Sequence, residues 1–182
     1  MPNKALPLLC PATATTAIVG APHDNSVWVY IRSGGVWTQQ GSALVVPNDA
    51  VGPSPSAFGW SVALSTDGNT AIVGGPNDNS AAMGAAWVYT RSGGVWTEQV
   101  KLVGTGAVRA GQGISVALSS DGNTALVGGN GDNGSTGAVW VFTRTGGNWT
   151  QQGNKLVGAG AVGNAVQGVP SDDVTQSGAD FR

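Results

Sequence analysis

"SVALSTDGNTAIVGG" occupies residues 61–75, and "SVALSSDGNTALVGG" occupies residues 115–129. The two begin 54 residues apart. The likeness extends outward from both. "GAAWVYTRSGGVWT" (84–97) matches "GAVWVFTRTGGNWT" (137–150), and "KLVGTGAV" (101–108) matches "KLVGAGAV" (155–162). An earlier copy keeps "TAIVGAPHDNSVWVYIRSGGVWTQQ" (16–40), so Thr16, Thr70 and Thr124 open equivalent segments at the same spacing. Self-similarity at a fixed period governs the reading of the whole chain.

Each unit reads as four short strands. "SVALS" is the first, and Asp67-Gly68 or Asp121-Gly122 supplies the turn after it, because Asp and Gly tolerate positive φ. "TAIVGG" is the second, nearly all apolar, as suits a strand covered on both faces. "AAWVYTR" is the third. Ser92-Gly93-Gly94 or Thr145-Gly146-Gly147 turns into the fourth, "VWTEQVKLV". Four antiparallel strands at this spacing are the pattern of a propeller blade. The expected fold class is all-β: a partial propeller of about three four-stranded blades, the first incomplete.

Composition agrees. Of 182 residues, 41% are hydrophobic and only 10% charged, and 30 are glycine. No long stretch has apolar residues at helical spacing. The net charge is −2 and the basic residues are scattered, which leaves no phosphate footprint and excludes nucleic acid as a partner. No apolar run reaches membrane-spanning length. The single cysteine, Cys10, makes no internal disulfide. The start, "MPNKALPLLC", has its apolar run cut short by Pro7, so no working signal peptide is expected.

The motifs resemble the FG-GAP repeat family of integrin-α-like and bacterial propeller repeats. Phe58-Gly59 followed by "WSVALS", Gly20-Ala21-Pro22 and Gly74-Gly75-Pro76, and the strands "GAAWVYT" and "GAVWVFT" carry the likeness. The third copy has Gly111-Gln112-Gly113 and Gly128-Gly129-Asn130, so its match rests on the surrounding strands. The resemblance covers residues 14–162, in units 14–50, 57–108 and 111–162. It implies a non-enzymatic scaffold for adhesion or ligand binding in a secreted or cell-surface protein, whose partner is a protein or a glycan. Variable loops before each third strand would make the contacts. A sugar-binding repeat protein and a fragment without independent activity are the alternatives. Closed propellers use about four to eight blades. Three units therefore leave open blade edges, and self-association through them is expected.

Asp24, Asp78 and Asp132 recur in the loops "PHDNS", "PNDNS" and "NGDNGS". They are the metal candidates, with calcium as the cation, since hard cations want oxygen ligands. Each loop offers one carboxylate, and Asx-turn chemistry accounts for it equally well; no other cofactor is expected. Trp28, Trp87 and Trp140 are equivalent and are the candidates for a sugar platform; packing between blades is the competing reading. Trp60 gives way to Ile114 in the third unit, as a packing position allows. No catalytic residues are expected. His23 is Asn77 in the next unit, and Asp172-Asp173 lie in a polar tail. Asn133-Gly134-Ser135 and Asn148-Trp149-Thr150 match glycosylation sequons.

Both ends depart from the repeat. Residues 163–182 are polar and unlike it, and are expected to be flexible. Residues 1–13 form a degenerate segment where a first strand belongs. Leu9 to Thr15 admits codons which, read one base earlier behind a G, spell Ala-Leu-Ser-Gly-Asp-Gly-Asn, the missing motif. The expectation is an out-of-frame reading of a first strand, in a fragment of a longer reading frame. The coding DNA tests it.

Overall fold

The structure is a computed structural model that describes residues 15–51, 56–79 and 83–161. The expectations for residues 1–13 and 163–182, with Cys10 and Asp172-Asp173, lie outside the described residues.

The described chain is all-β apart from one short turn of helix. The first sheet holds β1 (Thr16–Ala21), β2 (Ser26–Ser33), β3 (Val36–Gln39) and β4 (Leu44–Val45). The second holds β5 (Ser61–Leu64), β6 (Thr70–Gly75), β7 (Ala85–Ser92) and β8 (Val95–Leu102). The third holds β9 (Ser115–Leu118), β10 (Thr124–Gly129), β11 (Ala138–Thr145) and β12 (Asn148–Gln151). In the second and third sheets the strands lie in sequence order, each antiparallel to the next. In the first, β1 pairs with β2, and β2 pairs with both β3 and β4; no described strand takes the place of β5 or β9. The short helical turn, Asp132–Ser135, contains Asn133 and Gly134 at positive φ. No helix among the described residues is long and apolar enough to cross a membrane.

The turn from first to second strand is fixed by local hydrogen bonds. The Asp67 carboxylate accepts the Ser65 hydroxyl at 2.5 Å and the Asn69 backbone N–H at 3.0 Å. Asp121 does the same with Ser119 at 2.5 Å and Asn123 at 2.9 Å. These bonds, the serine hydroxyl foremost, hold both carboxyls below their ordinary titration range. Gly68 and Gly122 supply the positive φ that closes each turn.

The fourth strand shows a small sequence difference acting on a long element. Val95 to Leu102 spans eight residues as one strand, with a bulge opposite Val88 and Tyr89. The copies beginning at Val36 and Asn148 need one residue more to reach the equivalent Leu44 and Leu156. That residue breaks the strand, and Gly41 and Gly153 take positive φ at the break.

Two apolar clusters form the core, one at each junction between sheets. Ile18, Val27 and Val29 of the first sheet pack on Ala71, Val73, Trp87 and Tyr89 of the second, with Phe58 between. Ile72, Ala86, Val88 and Leu102 of the second pack on Ala125, Val127, Trp140 and Phe142 of the third. Strand alternation explains the division: odd and even residues of β6 point to opposite neighbours. Close approach at each junction needs glycine. A Cβ on Gly20 would overlap the Gly59 carbonyl oxygen, and one on Gly74 would overlap that of Gly113.

Candidate functional site

Strand pairing gathers the variable segments at one end of the sheets. Ser61 lies opposite Gly74, and Ser115 opposite Gly128. The starts of β5 and β9 therefore share an end with the β6–β7 and β10–β11 connections, and the β1–β2 turn belongs to the same end. His23 and Asp24 are exposed there, as are Asn77 and Asn133. Trp60, expected as a packing residue, is instead 51% exposed at this end. Its backbone N–H bonds to the Ala57 and Gly74 carbonyls, which fixes the turn and turns the indole toward solvent. No repeat signal marks it, because its counterpart is Ile114.

The three loop aspartates do not share one environment. Asp78 and Asp132 are each 1% exposed. One oxygen of Asp78 meets the Lys101 ammonium at 2.7 Å, and the other accepts the Val51 N–H at 2.8 Å. Asp132 meets Lys155 at 2.6 Å and accepts the Val108 N–H at 2.8 Å. The lysines also donate to the Asp49 and Gly106 carbonyls, both at 2.7 Å. Each aspartate–lysine pair thus clamps the connection arriving from the preceding sheet. A lysine ammonium sits on the carboxylate of both Asp78 and Asp132, two of the three calcium candidates. Asp24 is exposed, and Ala43 stands where the other copies have lysine. Among the described residues no group of three His, Cys, Asp or Glu side chains could hold a metal ion.

The equivalent tryptophans are also unlike one another. Trp87 and Trp140 are fully buried and offer no face to a sugar, which corrects the platform expectation for these two. Their indole N–H groups donate at 2.8 Å, from Trp87 to the Asp49 carboxylate and from Trp140 to the Thr105 carbonyl. Lys101 lies 5.3 Å from the centre of the Trp87 ring, and Phe58 meets that ring edge-on at 5.5 Å. Trp28 is half-buried. Asp49 also stands near Glu98, whose carboxyl titrates above its ordinary range through burial first and the Asp49 charge second.

A second recurring device uses residues that the sequence reading passed over. Arg91 stacks 5.3 Å from the Trp96 ring and donates to Gln40 at 3.0 Å and Thr16 at 3.2 Å in the sheet before it. Arg144 stacks on Trp149 at 5.3 Å and donates to Gln99 at 3.2 Å and Thr70 at 3.4 Å. The signal was available: Arg32, Arg91 and Arg144 hold one repeat position, and Gln40, Gln99 and Gln152 another.

No family model matches the chain, and none of the curated proteins matches it. Among solved structures it is similar to a "putative 6-phosphogluconolactonase" from Bacteroides fragilis, at 14% identity and TM-score 0.55, over 79% of this chain and 36% of that one. A "putative 6-phosphogluconolactonase" from Bacteroides uniformis gives 14% identity and TM-score 0.48 over 72% of this chain and 34% of that one. A fucose lectin from Kordia zhangzhouensis gives 8% identity and TM-score 0.40 over 78% and 90%. The chain spans about a third of the length of the two Bacteroides proteins. At 14% identity the likeness to the first of these is one of fold. The expectation that the chain is not an enzyme is corrected to this extent: the first of these structures shares its fold and is described as a "putative 6-phosphogluconolactonase", so the fold does not exclude an enzyme.

Proposed function

We propose that the chain is a set of FG-GAP-like propeller blades that serves as a ligand-binding scaffold in a secreted or surface protein. Its partner contacts lie at the end carrying His23, Asp24, Trp60, Asn77 and Asn133. One contrast carries this reading. The strand sequences largely repeat, whereas exposed positions at this end change between copies, His23 to Asn77 and Trp60 to Ile114. Binding residues concentrate on variable loops held by a rigid framework. The FG-GAP likeness of Phe58-Gly59 and Gly20-Ala21-Pro22 supports the family and the extracellular setting.

A glycan as ligand is favoured by the 51% exposure of Trp60. An indole face presented to solvent offers apolar area with a polar edge, which suits stacking on a sugar ring. The test is a glycan array and a surface-protein array probed with the chain, with Trp60→Ala and with His23→Ala. Binding lost in either variant, at an unchanged melting temperature, supports the assignment of this end. Binding that survives both changes, or no binding on either array, overturns it. Loss on glycans through Trp60→Ala but not Trp28→Ala distinguishes the sugar reading.

A further inference from the structure

The two junctions between sheets are copies of one interface, and the outer sheets present its second-, third- and fourth-strand positions again, while no described strand of the first sheet stands where β5 and β9 join the junctions. On the side facing the next sheet, the first sheet places Ile18, Val27, Val29 and Leu44, and the second places Ile72, Ala86, Val88 and Leu102. The same positions in the third sheet are Leu126, Val139, Val141 and Leu156. On the side facing the preceding sheet, the second places Ala71, Val73, Trp87 and Tyr89, and the third Ala125, Val127, Trp140 and Phe142. The same positions in the first sheet are Ala17, Val19, Trp28 and Tyr30.

At the junctions these residues are buried or nearly so. At the outer faces they are not: Val19 is 41% exposed and Leu156 56% exposed. Leu126, Val139, Val141, Trp28 and Tyr30 are half-buried. The polar part of the interface is repeated as well. Thr124 and Gln152 hold the positions at which Thr70 and Gln99 receive Arg144, and Arg32 holds the position of that arginine.

We infer that a second copy of this chain docks head to tail, its first sheet covering the third sheet of its neighbour through the equivalent positions of their second, third and fourth strands. The interface is heterologous, so each chain has one donor face and one acceptor face. Two chains bring six described sheets, inside the about four to eight blades of closed propellers, so a ring closed by two such contacts is the expected state.

Light scattering coupled to size exclusion, over a hundredfold concentration range, tests this on the 182-residue chain. The expected result is twice the chain mass. A chain mass throughout the range overturns the proposal and points to cover by the chain's own remaining residues. Val19→Asp and Leu156→Asp sit at exposed positions that the fold tolerates, as circular dichroism would verify. Each variant alone is expected at the chain mass. An equal mixture is expected to form a one-to-one pair, because each retains the face the other lacks. A dimer that persists in either variant alone means a symmetric contact between like faces and overturns the head-to-tail arrangement. Separate chain masses in the mixture also overturn it.

Discussion

β1 and β6 carry almost the same residues, "TAIVGA" and "TAIVGG", and meet different surroundings. All six residues of β6 are buried, whereas in β1 only Ile18 is buried. An apolar strand therefore records a place prepared for two neighbours, and the neighbours decide how far it is covered. The same contrast runs through Trp87 and Trp28, and through Asp78 and Asp24. In each pair one residue is held by the connection arriving from the sheet before it, and the other is the copy without a described sheet on that side.

The strongest way to break this comparison is at the tryptophans. Trp87→Ala removes a fully buried ring and is expected to cost about 3–5 kcal/mol. Trp28→Ala is expected to cost less than half as much when both are measured in the monomeric Val19→Asp background, because its ring is only half-buried there. Chemical denaturation of both variants decides it, and equal costs would refute the comparison. Asp78→Ala comes next. It leaves Lys101 beside a buried vacancy and frees the Val51 N–H, and is expected to cost about 3 kcal/mol. Asp24→Ala is expected within about 0.5 kcal/mol of the parent by the same measurement.

Arg91→Ala removes the bonds to Gln40 and Thr16 and the stacking on Trp96. It is expected to cost about 1–2 kcal/mol, read from thermal melts. The smallest effect concerns pH. Asp67 titrates below its ordinary range in the folded chain, so its contribution is present above the unfolded value of about 3.9 and is lost as pH falls through the lower folded value. Ser65→Ala removes the leading cause and should move the Asp67 carboxyl resonance up toward the ordinary titration point. An unmoved resonance would show that the Asn69 bonds suffice.

Much of the fold was legible because the repeat fixes strands, turns and order together. The Asp-Gly turns, the buried second strand and the Gly-Gly hairpins stand where their residues require. The break at Gly41 and Gly153 was harder to read, since it depends on one residue of length rather than on residue type. The site was less legible for a different reason. Repetition marks what holds the sheets together, so Trp87, Trp140, Asp78 and Asp132 drew notice and proved to be framework. Trp60 varies between copies, and its exposure depends on a turn bonded to Gly74, a tertiary fact. The lysines that close the clamps were visible only as the first letter of "KLVG", with no local sign of their aspartate partners.

The doubled interface also bears on how the chain finds its register while folding. The third sheet can dock where the second belongs, because the first sheet presents it the same four apolar positions. The connections separate the two outcomes. Trp87 donates to a carboxylate on Asp49, whereas Trp140 donates to a backbone carbonyl at Thr105. A third sheet docked on the first would bring Trp140 to the Asp49 carboxylate while leaving its own connection unclamped. The clamp of Asp132 and Lys155 on Val108 and Gly106 thus makes adjacent docking the better satisfied arrangement.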